Sequence, residues 1–312
     1  MSKVYLLRTT GKDKDSLTAA GQKIFQIFSD QVKAKTKETV LTDCTVLYKG
    51  DRSFASSHLQ LAKNQGFDFA DIIIADGEKG REEMKVPVNL KHFQEVRLGA
   101  GLKDYNFLLA ITHFTGHGMA GIGGALKNIG MGLGTKGGKM DMHQHFDLEV
   151  NADLCTGCGT CARECAGGAI SVVDGLARID KNKCLHCALC ISICPVGAVQ
   201  RPFGAASAGT SRDLQERIVE YAFGALKDRK SYFVSALLDI TPHCDCLREG
   251  FKDPVVQDIG ILASDDIVSI DQASLDLTGK NHFTTPDMNP QNQIDYAAQI
   301  GLGEKKYELV EI

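Results

Sequence analysis

Eight of the eleven cysteines in this 312-residue chain fall between Cys155 and Cys194, and they are written twice with one spacing. The first run is Cys155, Cys158, Cys161 and Cys165; the second is Cys184, Cys187, Cys190 and Cys194. Each run is followed by a Gly-Ala-apolar tripeptide, Gly168-Ala169-Ile170 and Gly197-Ala198-Val199. Three thiolates spaced two residues apart wrap one face of a metal–sulfide cubane, and the fourth corner must come from elsewhere. Zinc takes its cysteines as paired knuckles, so a third Cys at this interval serves no tetrahedron. A disulfide framework is disfavoured in a chain that starts without a secretory leader.

Cys-x2-Cys-x2-Cys-x3-Cys is the bacterial ferredoxin spacing, and in two-cluster modules the fourth cysteine of each run ligates the other cluster. It predicts one [4Fe-4S] cluster on Cys155, Cys158, Cys161 and Cys194, and a second on Cys184, Cys187, Cys190 and Cys165. Pro195 follows the last cysteine of the second run, whereas Ala166 stands at the matching place in the first. His186, inside the second run, is placed to tune that cluster through hydrogen bonding. Between the runs, two β-type stretches flank Asp174-Gly175, a strong hairpin signal.

A second concentration of chemistry is the glycine-rich stretch 113–132 and the residues after it as far as His143. His113, His117, Lys127 and His143 are candidate ligand or catalytic residues here. Imidazoles four residues apart can ligate metal or move protons, while glycine N–H groups and a lysine favour an anion. The stretch therefore predicts a further metal or an anionic ligand at this loop. It is no dinucleotide fingerprint, because Leu126 stands where the last glycine belongs, and 132–139 is no phosphate-binding P-loop, because Gly138 takes the lysine place. His243, Cys244 and Cys246 are a candidate third metal site. Cys44 reads as a buried apolar residue, and Asp258, Asp265, Asp266 and Asp271 as loop and helix-cap carboxylates.

Apolar runs at 4–7, 72–75, 107–112, 232–237 and 259–263 suit strands buried on both faces. Helical patterns alternate with them. Leu214, Ile218, Ala222 and Ala225 share one face, and a helix over 291–300 is stopped by Gly301. The alternation predicts an α/β host with a mostly parallel sheet. An inserted α+β ferredoxin-like domain interrupts it, giving 1–147 and 204–312 as host and 148–203 as insert. The net charge of −4 argues against a nucleic-acid partner. No 18-residue apolar run spans a membrane, and the expected location is cytoplasmic.

Several motifs together resemble a known family: the stretch 41–48 with Asp43-Cys44, the 113–132 loop with its Gly-Gly-Ala-Leu-Lys-Asn core, Ile240-Thr-Pro-His-Cys-Asp-Cys246, the run 258–264, and Ile300-Gly-Leu-Gly303. They are similar to domain-of-unknown-function family 362, in its form with an inserted two-cluster ferredoxin module. The resemblance implies iron–sulfur binding and electron transfer with a redox partner protein. The chain departs from the family in its first 40 residues, where members carry a Lys-x-His-x-Gly-Glu-like stretch. In a narrower likeness, His117, Lys127 and His143 follow the order of a motif in the lactate racemase family. That likeness implies a cofactor-facing role for Lys127 and His143 and proton transfer by His117. The sequence thus reads as an iron–sulfur electron-transfer protein. The alternative is a redox or racemase-like enzyme whose site is the His113–His143 loop.

Overall fold

Four of the five predicted apolar runs lie side by side in one sheet, and a strand at the end of the chain completes it. The order across the sheet is Tyr307–Glu311, Ser2–Leu7, Gly260–Ser264, Lys230–Leu237 and Phe107–His113. The computed structural model describes residues 1–9, 14–33, 39–143, 148–200, 211–245 and 253–312. The sheet is mixed, which corrects the expectation of a mostly parallel one. Both outer pairs are parallel, but Gly260–Ser264 runs antiparallel to each of its neighbours. The reason lies in the connections. A parallel neighbour needs a crossover, usually helical. Between Leu237 and Gly260 the described residues contain no helix, and the chain returns antiparallel. The fifth run also forms a strand, Asp71–Ile74, but it pairs with Val40–Asp43 outside the main sheet.

Helix Ser211–Leu226 buries Leu214, Ile218, Ala222 and Ala225, the face its period marks. It packs on helix Ala125–Leu133 so closely that a Cβ on Gly130 would lie 2.2 Å from the Ile218 carbonyl oxygen. Part of the glycine content of the 113–132 stretch therefore serves helix packing. Helix Ile267–Thr278 starts at Asp266, whose carboxylate accepts the N–H groups of Val268 and Ser269. Helix Gln291–Gln299 stops just before Gly301, at φ 78°. These elements close over a core that includes Leu6, Phe114, Ile122, Leu126, Phe233 and Ile294.

Residues 148–200 gather around a smaller core of Leu148, Cys161, Ala177, Ala188, Cys194, Ala198 and Val199. Glu149–Val150 pairs antiparallel with Val199–Gln200, which brings the two ends of this segment together. The predicted hairpin joins Ile170–Val173 to Leu176–Ile179. Asp174 and Gly175 at its tip both have positive φ, 53° and 76°, as a two-residue type I′ turn requires. Met140, from helix Lys136–Met142, also belongs to this core, and Leu47 packs against it. Lys79 pairs with Glu164 at 2.6 Å, and Ser192 Oγ donates to the Leu47 carbonyl at 3.2 Å. No helix among the described residues is long and apolar enough to cross a membrane.

Candidate functional site

The cysteine runs surround two cavities. One is lined by Cys155, Cys158, Cys161 and Cys194. The other is lined by Cys165, Cys184, Cys187 and Cys190, with Cys161 between the two. The last cysteine of each run thus faces the cavity of the other run. Burial pushes the Cys190 thiol up to about 12, and the nearby sulfurs of Cys187, Cys184, Cys161 and Cys165 add to the rise. Crowded thiols of this kind are a soft, anionic donor set once deprotonated, and they suit a multinuclear iron centre.

The repeated tripeptide has a local cause. Ala169 N–H donates to Cys165 Sγ and Ala198 N–H to Cys194 Sγ, both at 3.2 Å. Gly168 and Gly197, at φ 57° and 66°, turn the chain so that this amide points back at the sulfur. Gly168 N–H and Gly197 N–H close the same turn onto the carbonyls of Cys165 and Cys194. Ala166 therefore does without the proline that its counterpart Pro195 supplies. The first repeat places Gly157 and Gly159 at positive φ, whereas the second puts His186 and Ala188 there, at 49° and 54°. A Cβ on Gly157 would also sit 2.4 Å from the Gly175 carbonyl oxygen. Gly157→Ala is expected to destabilise the protein by about 2 kcal/mol or more, while Ala188→Gly is expected to be neutral or mildly stabilising. Thermal unfolding of the two variants measures the difference; equal losses would contradict it.

The second candidate set is drawn together only in part. Lys127, His143 and His243 all lie near His117: burial first, and then these three groups, take His117 down to about 3. Its Nδ1 accepts the N–H groups of Met119 at 3.2 Å and Ala120 at 3.0 Å. His117 is therefore neutral with its proton on Nε2. Lys127 is taken down to about 8, first by burial and then by Arg52, while Asp245 opposes the shift. His113 is otherwise engaged. One ring nitrogen meets Asp245 at 2.8 Å and the other the Leu238 carbonyl at 2.7 Å. Two acceptors call for two N–H groups, so His113 is an imidazolium held to Asp245, and its affinity for protons is raised.

The amides that follow the glycine turn are taken by the protein itself. The N–H groups of Ala125 and Leu126, which open helix Ala125–Leu133, donate to Asp271 at 2.7 and 2.9 Å. A Cβ on Gly124 would lie 2.5 Å from this carboxylate, so glycine admits the side chain. The acceptor at this helix start is the protein's own side chain. Of the three residues read as a third metal site, Cys244 is disulfide-bonded, His243 joins the His117 group, and Cys246 lies outside the described residues. Cys44 is buried as expected, with its thiol donating to the Leu133 carbonyl at 3.4 Å.

Sequence reasoning gives no role in a site to Arg52, Asp43, His58, Asp245 or Lys136. Arg52 holds Asp43 and donates to His58 Nε2 at 3.2 Å. Along the chain, Asp245 is only a spacer between two cysteines. Lys136 is fully buried, donates to the Ser53 carbonyl at 2.6 Å, and lies over the Phe54 ring at 5.1 Å. Burial takes it down to about 8, while the charges of Asp76 and Cys187 support it. Arg97 reaches the His186 carbonyl at 3.4 Å and Arg81 the Glu164 carbonyl at 2.6 Å. Cationic side chains thus back the second cysteine cavity. The Lys-x2-Lys pattern at 136–139 is the one available signal, and its spacing fits no P-loop.

The model of a domain of unknown function, DUF362, matches residues 14–276. The chain is 48% identical over 46 residues to a subunit of the ion-translocating oxidoreductase complex of Methanosarcina acetivorans, which is 15% of this chain and 17% of that protein. It is 53% identical over 36 residues to a probable ferredoxin of Methanosarcina thermophila, 11% of this chain and 62% of the ferredoxin. Ferredoxin-2 of Chlorobaculum tepidum is 38% identical over 53 residues, 15% of this chain and 86% of that protein. The chain therefore spans less than a fifth of the oxidoreductase protein and less than two thirds of the Methanosarcina thermophila ferredoxin. No solved structure matches at a significant level.

Proposed function

Since the chain belongs to the DUF362 family, whose description assigns no activity, we propose from its own residues that it is an electron-transfer protein with two [4Fe-4S] clusters. The observation that carries this reading is the pair of cavities, each walled by three cysteines of one run and the last cysteine of the other. Cys155, Cys158, Cys161 and Cys194 would hold one cluster; Cys184, Cys187, Cys190 and Cys165 the other. When bound, the clusters supply one-electron transfer. The protein's own groups set its terms. Amides of Ala169 and Ala198 donate to the sulfurs of Cys165 and Cys194 and stabilise their anionic state. Lys136 and Arg97 add positive charge on one side of the second site.

Residues 148–203 are then a ferredoxin-like insert in an α/β host formed by 1–147 and 204–312. The electrons pass between this insert and a redox partner protein, with no nucleic acid involved. We place the protein in the cytoplasm, where the eight free thiols of the two runs stay reduced. Likeness to ferredoxins over part of the chain supports the same reading.

The test is direct. Anaerobically purified protein is expected to contain about eight iron and about eight sulfide per chain, the content of two cubanes. Dithionite should bring up the EPR signals of reduced clusters. Zinc in place of iron, or iron without sulfide, overturns the proposal.

A further inference from the structure

We propose that Lys127 and His117 form a receptor for a small oxyanion, a carboxylate or a phosphate, at the carboxyl end of strand Phe107–His113. This goes beyond electron transfer by the cysteine module and does not rest on it. Lys127 is the third residue of helix Ala125–Leu133 and is half-buried, with no hydrogen bond or ion pair among the described residues. An ammonium removed from water without an anionic partner is unfavourable. The acid near it, Asp245, is already held by His113. The helix start beside Lys127 is closed by Asp271.

His117 supplies the second donor. Two backbone N–H groups occupy Nδ1, which leaves Nε2–H as the polar edge it can offer. The other charged or titratable groups facing this place are Arg52, Asp245, His143 and His243, with His113 behind Asp245. The place therefore offers an ammonium and an imidazole N–H, while its carboxylate, Asp245, is matched by His113 and a further cation, Arg52, stands nearby. A group with two oxygens and a negative charge complements it, whereas a cation or a neutral apolar molecule does not.

Binding requires the ammonium form of Lys127. Its proton is lost near pH 8. Affinity should thus be present below that point and fade as pH rises through it. Calorimetry on the full anaerobic protein, at constant ionic strength, tests this with acetate, oxalate and inorganic phosphate as separate probes. One or more should bind, and Lys127→Met should weaken binding at least about 10-fold. Lys127→Arg should keep most of it. At pH 8 the heat should vary with buffer because binding draws a proton onto Lys127, and Lys127→Met should abolish that variation. Lys103→Met, at an exposed lysine, should bind as the parent does. Preference for oxalate and acetate would identify a carboxylate receptor; preference for phosphate, a phosphoryl one. The proposal fails if no probe binds, or if Lys127→Met leaves affinity and proton uptake unchanged. It also fails if Lys127→Met is misfolded by circular dichroism and the folded Lys127→Arg protein binds nothing. Iron content measured on the same samples separates this failure from that of the cluster reading.

Discussion

Cys194→Ser protein, purified anaerobically, is expected to lose about four irons from the site of the opposite run while the remaining cluster stays bound. Cys194 lies in the second run by sequence but lines the cavity of Cys155, Cys158 and Cys161. Cys165→Ser should do the converse, because Cys165 faces Cys184, Cys187 and Cys190. Iron analysis of single variants cannot tell which cluster has gone, so the check is a pair of double variants. Two mutations in one site should cost little more than one, whereas mutations in separate sites add. Cys194→Ser with Cys158→Ser should therefore retain about half the iron, and Cys194→Ser with Cys187→Ser almost none. The reverse pattern would mean that each run binds its cluster with its own four cysteines. Loss of a cluster also removes folding free energy from the segment it ties together. Proteolysis should then open 148–200 first, although Met140 and Leu47 join its core to the rest of the protein.

Asp271→Ala is expected to destabilise the protein by about 3–5 kcal/mol, since it leaves two buried N–H donors without acceptors and a cavity beside Gly124. Asp271→Asn keeps one acceptor and should lose less. The pH dependence gives a second readout. Burial raises the Asp271 carboxyl to about 7, against the pull of the two amides. In the unfolded chain it titrates near its ordinary value of about 4. The native state thus holds this proton more tightly than the unfolded state. The resulting stability is fully present below pH ~4 and is lost as pH rises through about 7. Denaturant unfolding of the parent should show stability falling across that window. In Asp271→Ala that part of the slope should be gone. A parent whose stability rises over the same range, with the same slope in the variant, would show that Asp271 stays ionised throughout.

Short-range geometry accounts for the features that were legible in the sequence. Cysteine spacing sets the first three sulfurs of each run close together along the chain, and in the fold they line one cavity each, with Cys165 and Cys194 facing the cavity of the other run. Asp174-Gly175 announced its hairpin because a two-residue turn with positive φ admits few residue types. The period of Leu214, Ile218, Ala222 and Ala225 marked a buried helix face for a similar reason: the pattern completes within a few turns.

The tertiary structure decided which polar groups meet. His113 looked like a companion of His117, only four residues away, yet its partner is Asp245, 132 residues on. The amides that follow the glycine turn find their acceptor in Asp271, 146 residues away. Lys136 ends beside Cys187, and His243 beside His117, through the packing of separate elements. The reversed strand Gly260–Ser264 depends likewise on a connection that carries no helix among its described residues. Thiol spacing, turns and amphipathic faces are set by neighbours along the chain, and the residue types at those positions record them. Partners for a carboxylate or an ammonium are chosen by desolvation and packing across the fold, where no local pattern records the pairing.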